Sequence, residues 1–368
     1  MTRYAHIIGW GMSVPQQILT NEDLAGMVDT SDEWIRSMTG IRERHIAGPR
    51  ESTATLAVEA AVQALVTAGL PARKLDLIIV ATSLPEYLMP STACVVQDQL
   101  GASDAAAFDL LAACSGFPYA LSVASQMIAG GAYSNALVIG SETMSRLIDW
   151  SDRSTCVLFG DGAGAVVLQA SEKPGGVLSF ALHADGSGGD LLTVPAGGSR
   201  MPASLETIED NKHAIVMNGR GVYRFATRVI VSGIHEVLEK AGLTLDDIRL
   251  FVPHQANRRI IESAAKDLGL PMDKFVVNID RYGNTSTASI PIALCEAVSE
   301  GRILPGDNIV LVAFGAGLTW GTSVVKWVSA PPKKRRQIPM TDRIFARARS
   351  YARRTRRHIE GVIWGKNE

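Results

Sequence analysis

Cys114 stands between an apolar strand, Phe108-Asp109-Leu110-Leu111, and a helix-compatible run from Pro118 to Ala129. A thiol becomes a nucleophile when its thiolate is stabilised. A helix N-terminus offers free N–H groups and the positive end of the dipole, so the expectation is a lowered thiol pKa. The small neighbours Ala112, Ala113, Ser115 and Gly116 would let a thioester come close. The same segment also fits an inert core thiol. The other cysteines, Cys94, Cys156 and Cys295, are widely spaced, with no CxxC pair and no zinc-like His/Cys cluster, so no metal is expected.

Two further side chains suit chemistry at a carbonyl. His254, in Val252-Pro253-His254-Gln255-Ala256-Asn257, follows an apolar strand. That placement suits general acid/base or hydrogen-bond-donor work, and it also suits a structural histidine. Asn284, in Gly283-Asn284-Thr285-Ser286, reads either as a turn or N-cap residue or as an amide donor to an oxyanion. Gly160-Asp161-Gly162-Ala163-Gly164 has the look of a phosphate loop. It lacks the GxGxxG spacing and a Walker lysine and precedes a strand, so close packing between strands is the preferred reading.

The elements that must position these groups alternate. Leu75–Val80, Ala136–Gly140, Gly164–Leu168 and Asn308–Val312 have the form of buried strands, while Ser52–Ala68, Tyr223–Ala241 and Arg259–Leu268 have helical periodicity. This is an α/β pattern. It also repeats: Ala68-Gly69-Leu70 with its following strand recurs as Ala241-Gly242-Leu243. In each half a second strand should then end in a small-residue turn that opens a helix. Those turns are Ala112–Gly116 and Tyr282–Ser286, which would place Cys114 and Asn284 at equivalent positions. His254 would sit at the end of the strand that pairs with Val80-Ala81. The expected architecture is two duplicated halves, residues 1–175 carrying the cysteine and 176–328 carrying the histidine and asparagine, with an extension over 329–368. Ser171–Asn218, rich in Gly, Pro and polar residues, reads as a crossover with surface loops.

Composition sets the outer limits. Of 368 residues 46% are hydrophobic and 20% charged, which suits a large buried core. No apolar run is long enough to span a bilayer and no signal-peptide core is present, so a cytoplasmic protein is expected. The net charge of −1 conceals an acidic body of about −10 and a tail, 331–368, of about +9.

Together the segments resemble the β-ketoacyl-acyl-carrier-protein synthase III family of thiolase-fold condensing enzymes, over about residues 3–328. The resemblance is carried by Asn21–Leu24, Thr30–Ile35, Thr39–His45, Pro90–Cys94, Ala112–Phe117, Phe159–Ala165, His183–Gly186, Val252–Asn257, Gly283–Ser286 and Ala313–Gly321. It implies a layered α-β-α-β-α core, a homodimer, no cofactor, and acyl-CoA and malonyl-acyl-carrier protein as substrates. Cys114 would hold the acyl group, and His254 and Asn284 would stabilise the enolate left by decarboxylation. The turn at Gly315-Ala316-Gly317 would serve the oxyanion, and Phe314 would wall off the malonyl carboxylate. Trp34 and Arg153 match positions that sandwich adenine, and Asn257 and Arg220 positions along the pantetheine arm. Gln255, Ala256, Asn257, Arg258 and Arg259 match the carrier-protein docking segment. Met38 departs from an arginine near the nucleotide, and Ala316 from a glycine. A hydroxymethylglutaryl-CoA synthase would need a glutamate after Val80-Ala81-Thr82, where Ser83 stands. A condensing or acyl-transferring enzyme of specialised metabolism using the same three residues is the alternative.

The tail lies outside that resemblance. From Ile344, Ala348, Tyr351, Ala352, Thr355, Ile359, Val362 and Ile363 fall on one helical face, with Arg347, Arg353, Arg354, Arg356 and Arg357 largely on the other. The expectation is a basic, helical extension suited to an anionic membrane surface or an acidic carrier protein, rather than to nucleic acid.

Overall fold

The computed structural model describes residues 3–329; the basic tail expected to be helical lies outside the described residues. In the first half the chain runs β1 (Tyr4–Ser13), α1 (Asp32–Thr39), α2 (Thr53–Ala68), β2 (Leu77–Ala81), α3 (Thr92–Leu100), β3 (Ala106–Leu110), α4 (Gly116–Ala129), β4 (Asn135–Thr143) and β5 (Asp161–Ser171). The second half runs β6 (Gly176–Ala184), α5 (Gly219–Ala241), β7 (Ile248–Pro253), α6 (Arg258–Asp267), α7 (Ser289–Ser299), β8 (Asn308–Gly315) and β9 (Thr319–Lys326).

Two main sheets result, in the orders β1-β5-β4-β2-β3 and β6-β9-β8-β7, beside two short two-stranded ones among the described residues. Strand patterning makes them layers. Leu77 and Ile79 of β2 face a core shared with α4 and α7 and with Leu250, Val252, Ile309 and Leu311 of the other sheet. The alternate residues Ile78 and Val80 face α2 and α3. Phe251, Val310 and Val312 face α5 and α6 on the far side of the second sheet. The order is α-β-α-β-α, with α4 and α7 as the buried middle layer.

The helix ends follow their sequence signals. Ser52 caps α2 by accepting from the Thr55 N–H. Gly69 and Gly242 close α2 and α5 in the left-handed conformation.

Three sequence expectations are corrected. The Ser171–Asn218 stretch contains the nine-residue strand β6, which pairs antiparallel with β9. Glycines hid it: a Cβ on Gly176 would lie 1.9 Å from the Ala5 carbonyl oxygen, so this strand starts on a residue that has to be small. Second, β7 is hydrogen-bonded to β8, not to β2; β2 is its counterpart in the other sheet. Third, the second strand expected before Asn284 shrinks to one parallel bridge, Phe251 to Phe275. Beyond it the Gln255 side chain replaces the ladder: its Nε2 donates to the Val276 carbonyl (3.0 Å) and its Oε1 accepts the Asn278 N–H (3.1 Å).

Candidate active site

Cys114 lies on a 3-10 turn, Ala113–Ser115, between β3 and α4, and is buried. Thr319 pins that turn to the one after β8. Its Oγ1 is 2.6 Å from Ser115 Oγ and within 3.1 and 3.0 Å of the Ala112 and Ala316 carbonyl oxygens. Gly315 makes the closest approach: a Cβ there would stand 2.7 Å from the Cys114 nitrogen. Only glycine allows that contact. The Cys114 N–H faces its own sulfur, and the Ala316 N–H, on the turn after β8, is given to no backbone carbonyl among the described residues. Two N–H donors on adjoining turns are what an oxyanion beside the thiol requires.

His254 follows β7, its N–H donating to the Val312 carbonyl (2.8 Å). The imidazole is buried, edge-on to Phe314 with centroids 5.2 Å apart, and its Nδ1 is 2.6 Å from Ser289 Oγ. Burial lowers its pKa to about 3, so the ring is neutral at working pH. A Ser289 hydroxyl that donates to Nδ1 would leave the ring proton on Nε2, which would make that nitrogen a neutral donor.

Asn284 is held from both sides of its backbone, its N–H donating to Leu158 O (2.8 Å) and its carbonyl accepting the Gly160 N–H (3.0 Å). Gly160 therefore packs rather than binds phosphate: a Cβ on it would lie 2.3 Å from the Tyr282 carbonyl oxygen. The Asn284 Oδ1 accepts the Ser286 N–H (2.8 Å), which leaves its amide N–H groups as the chemically available end.

One turn draws the three groups together. Ser286, two residues after Asn284, stands beside the Cys114 thiol, and Ser289, at the start of α7, holds His254. The expected low thiol pKa is corrected here. Burial pushes the Cys114 thiol up to about 12; Ser286 pulls it down and the nearby Glu142 charge adds to the rise. The 3-10 turn separates Cys114 from the first turn of α4, which starts at Gly116, and the apolar surroundings prevail.

The flanking residues divide. Arg153 lies over Trp34, its guanidinium carbon 4.9 Å from the ring centroid, and both are exposed enough to meet a ligand. Asn257 caps α6, accepting the Arg259 N–H (2.9 Å), while its Nδ2 donates to the Met38 carbonyl (3.0 Å). Arg258 and Arg259 are exposed and line a cleft with Arg36, Arg42, Asp32 and Asp280. Arg220 is exposed in the first turn of α5, and Ala256 packs against the α5–α6 core. Gln255 does not fit the docking role expected of it: it is buried, and its amide serves backbone groups of Pro253, Val276 and Asn278.

Sequence reasoning passed over Ser286, Ser289 and Glu142. Glu142 had a signal: a carboxylate two residues past the apolar run Ala136–Gly140 sits at the inner end of a buried strand. The two serines had none apart from their distance from Asn284. Among the described residues no His, Cys, Asp and Glu cluster is arranged to hold a metal ion, and no helix is long and apolar enough to cross a membrane.

Known proteins show the family. The family models described as 3-oxoacyl-[acyl-carrier-protein] synthase III and its C-terminal part match residues 108–186 and 238–327. The β-ketoacyl-[acyl-carrier-protein] synthase III of Caldanaerobacter subterraneus is 57% identical over 323 residues, 88% of this chain and 98% of that protein. That of Roseiflexus castenholzii is 53% identical over 327 residues, 89% and 99% of the two chains. The chain belongs to the 3-oxoacyl-[acyl-carrier-protein] synthase III family. The crystal structure of the Aquifex aeolicus synthase III superposes with a TM-score of 0.82 at 48% identity, covering 88% of this chain and all of that one. The fold is therefore the thiolase fold, and the protein is a condensing acyltransferase of the synthase III type. The Cys114 turn and the N-terminal half of β8 lie inside the two matched regions, as do His254, Asn284 and Gly315.

Proposed function

We propose that Cys114 takes an acyl group from acyl-CoA and passes it to the carbanion of malonyl-acyl-carrier protein. In loading, the sulfur attacks the thioester carbonyl, and the N–H groups of Cys114 and Ala316 receive the oxyanion. In condensation, the carbon–carbon bond to the malonyl carboxylate breaks. The His254 Nε2–H and the Asn284 amide donate to the thioester oxygen that gains the charge. A neutral imidazole suits this work, since it donates without first taking a proton. Phe314, buried against His254, offers the carboxylate an apolar wall and so favours its departure as CO2. The new carbon–carbon bond forms as the bond from the acyl carbon to Cys114 breaks.

The observation that carries this reading is the close approach of Gly315 to the Cys114 backbone, which sets the N–H of Cys114 and that of Ala316 on adjoining turns beside the thiol. Intact-mass spectrometry after incubation with a panel of acyl-CoAs tests it. One acyl mass should appear on the wild type and none on Cys114→Ala; an acyl group that stays on Cys114→Ala would overturn it. Consumption of malonyl-acyl-carrier protein with CO2 release separates this reaction from transfer to another acceptor.

The same reading gives Trp34 and Arg153 to the adenine, Asn257 and Arg220 to the pantetheine arm, and Arg258 and Arg259 to the acidic carrier protein. It also carries a cytoplasmic homodimer, favoured by the exposed apolar side chains of Tyr87, Leu88, Met89 and Leu111. The basic tail would add affinity for the carrier protein or an anionic membrane surface. Deleting residues 331–368 should then raise the carrier-protein KM or weaken liposome binding, and no change in either would refute that role.

A further inference from the structure

The inner end of β4 carries a carboxylate that the condensation chemistry leaves unused. Glu142 has no exposed surface and, among the described residues, forms no ion pair. Its Oε1 accepts from the Ser83 N–H (2.9 Å) and the Ser286 hydroxyl (3.0 Å). Its Oε2 accepts from the Thr82 hydroxyl (3.2 Å) and the Leu84 N–H (3.3 Å). A buried carboxylate without a cation is costly to keep for packing alone. Here one of its four donors, Ser286, also stands beside the Cys114 thiol, on a 3-10 turn, Ser286–Ala288, that packs so closely on the cysteine's that a Cβ on Gly116 would lie 2.9 Å from Thr287 Oγ1. The groups form a row: thiol, hydroxyl, carboxylate.

We propose that Ser286 and Glu142 form a proton path for Cys114, the carboxylate taking the thiol proton during acyl loading and returning it after condensation. The proposal rests on Cys114 being the acyl carrier. During loading the S–H proton passes to Ser286 Oγ as the Ser286 proton passes to Glu142. The sulfur–acyl bond forms, the acyl bond to CoA breaks, and the CoA thiolate takes a proton from water. During condensation the acyl–sulfur bond breaks and leaves a Cys114 thiolate. Glu142 returns its proton through Ser286 and restores the starting state. Each turnover then consumes one solvent proton, which leaves on the CoA thiol.

The surroundings favour this assignment over His254. A histidine held near pKa 3 is a weak proton acceptor, whereas burial raises Glu142 to about 7. Elements packed against β4 carry Glu59 on α2, which accepts the Ser13 hydroxyl, Tyr119 on α4, which donates to the His183 carbonyl, and Cys295 and Glu296 on α7, the latter paired with Arg281. Asp161 on β5 and Glu86 in the loop after β2 complete the surroundings. Asp161 accepts the Ala47 and Ser145 N–H groups and the Ser145 hydroxyl, and Glu86 accepts the Ala54 N–H, so both are committed elsewhere. Glu142 acts through Ser286 and is a positioning residue in this scheme.

The test is the pH dependence of the single-turnover loading rate, read by quenched intact-mass spectrometry, in wild type, Ser286→Ala, Glu142→Gln and Glu142→Asp. The wild-type rate should rise with pH and level off above about 7, as the carboxylate ionises. Ser286→Ala keeps the backbone N–H that Asn284 uses and removes only the hydroxyl. It should load roughly 10²-fold more slowly, with the plateau replaced by a continuous rise toward alkaline pH. Glu142→Gln should do the same, and Glu142→Asp should restore a plateau near neutrality. A structural role would lower the rate without moving the profile. Should Glu142→Gln fail to fold, Ser286→Ala decides alone. A plateau that persists in Ser286→Ala overturns the proton path, whereas absence of acyl mass on wild-type Cys114 overturns the acyl-carrier reading instead.

Discussion

Replacing Gly315 with alanine should disable the enzyme while leaving it folded, and the structure sets the size of the effect. The added Cβ would stand 2.7 Å from the Cys114 nitrogen, 3.1 Å from its Cβ and 3.2 Å from its Cα. Ordinary contact begins near 3.4 Å, so the cysteine turn and the end of β8 must part by about 0.7 Å. Two backbones have to move, because no flexible side chain end takes up the clash. Overpacking of this kind costs about 1–3 kcal/mol, which a core of this size can absorb. The chemistry is less tolerant. Oxyanion donors work at roughly 2.7–3.1 Å from the oxygen, and losing one lowers kcat by roughly 10²–10³. An opening of about 0.7 Å between turns that each supply one donor should approach that loss. The assay is single-turnover loading of Cys114 together with steady-state condensation, alongside a thermal melt. Gly198→Ala is the control, since a Cβ there meets nothing within 4 Å. Condensation by Gly315→Ala within twofold of wild type, at a similar melting temperature, would refute the argument that this contact sets the oxyanion geometry.

Removing the His254 ring with His254→Ala should spare Cys114 loading and slow condensation roughly 10²–10⁴-fold; a comparable loss of loading would contradict its assignment to the enolate. Because burial holds His254 near 3, the unfolded chain takes the proton first as pH falls below about 6.5. Wild-type stability should therefore drop by on the order of 1.4 kcal/mol per pH unit from this site between about pH 6 and 4; denaturant titrations of His254→Asn should lack that component. Trp34→Ala and Arg153→Ala should each raise the acyl-CoA KM roughly 2- to 30-fold, the range of a cation–π contact, with unchanged kcat and melting temperature. Arg258→Glu combined with Arg259→Glu should slow carrier-protein association and weaken its salt dependence, leaving acyl-CoA loading unaffected.

Much of the framework was legible because short-range physics fixed it. The apolar run at Leu77–Ala81, the Ser52 cap and the left-handed Gly69 and Gly242 each carry a local signal, and each became the expected element. What escaped depended on tertiary neighbours. β6 begins at a glycine required by the backbone of Ala5, 171 positions earlier in the chain. Gln255 sits in a polar stretch suited to docking, but it is buried because the missing ladder at Val276 and Asn278 needs its amide. The three candidate side chains were read from type and position. Their protonation was not, because the thiol and the imidazole owe their shifts mainly to burial, which no spacing in a sequence reveals.

The repeat itself explains how one site obtained two kinds of polar support. Residues 173 positions apart correspond closely: Asn135 and Asn308 start strands, and Gly116 and Ser289 start the middle helices. Ala113 and Ser286 share a left-handed φ of +44° and +50° at the start of matching 3-10 turns. The counterpart of Cys114 is therefore Thr287, and Asn284, expected at that position, lies three residues earlier. Each turn packs on the end of a strand from the opposite half. The cysteine turn meets Gly315 at the end of β8, while the Ser286 turn meets Glu142 on β4, and Gly315 and Glu142 are themselves 173 positions apart. At one contact the absence of a side chain brings backbone donors to the sulfur. At its counterpart a carboxylate fills the same place and reaches the sulfur through a hydroxyl. Duplication supplied the symmetric frame, and under the proposed roles the difference between Gly315 and Glu142 separates charge stabilisation from proton storage.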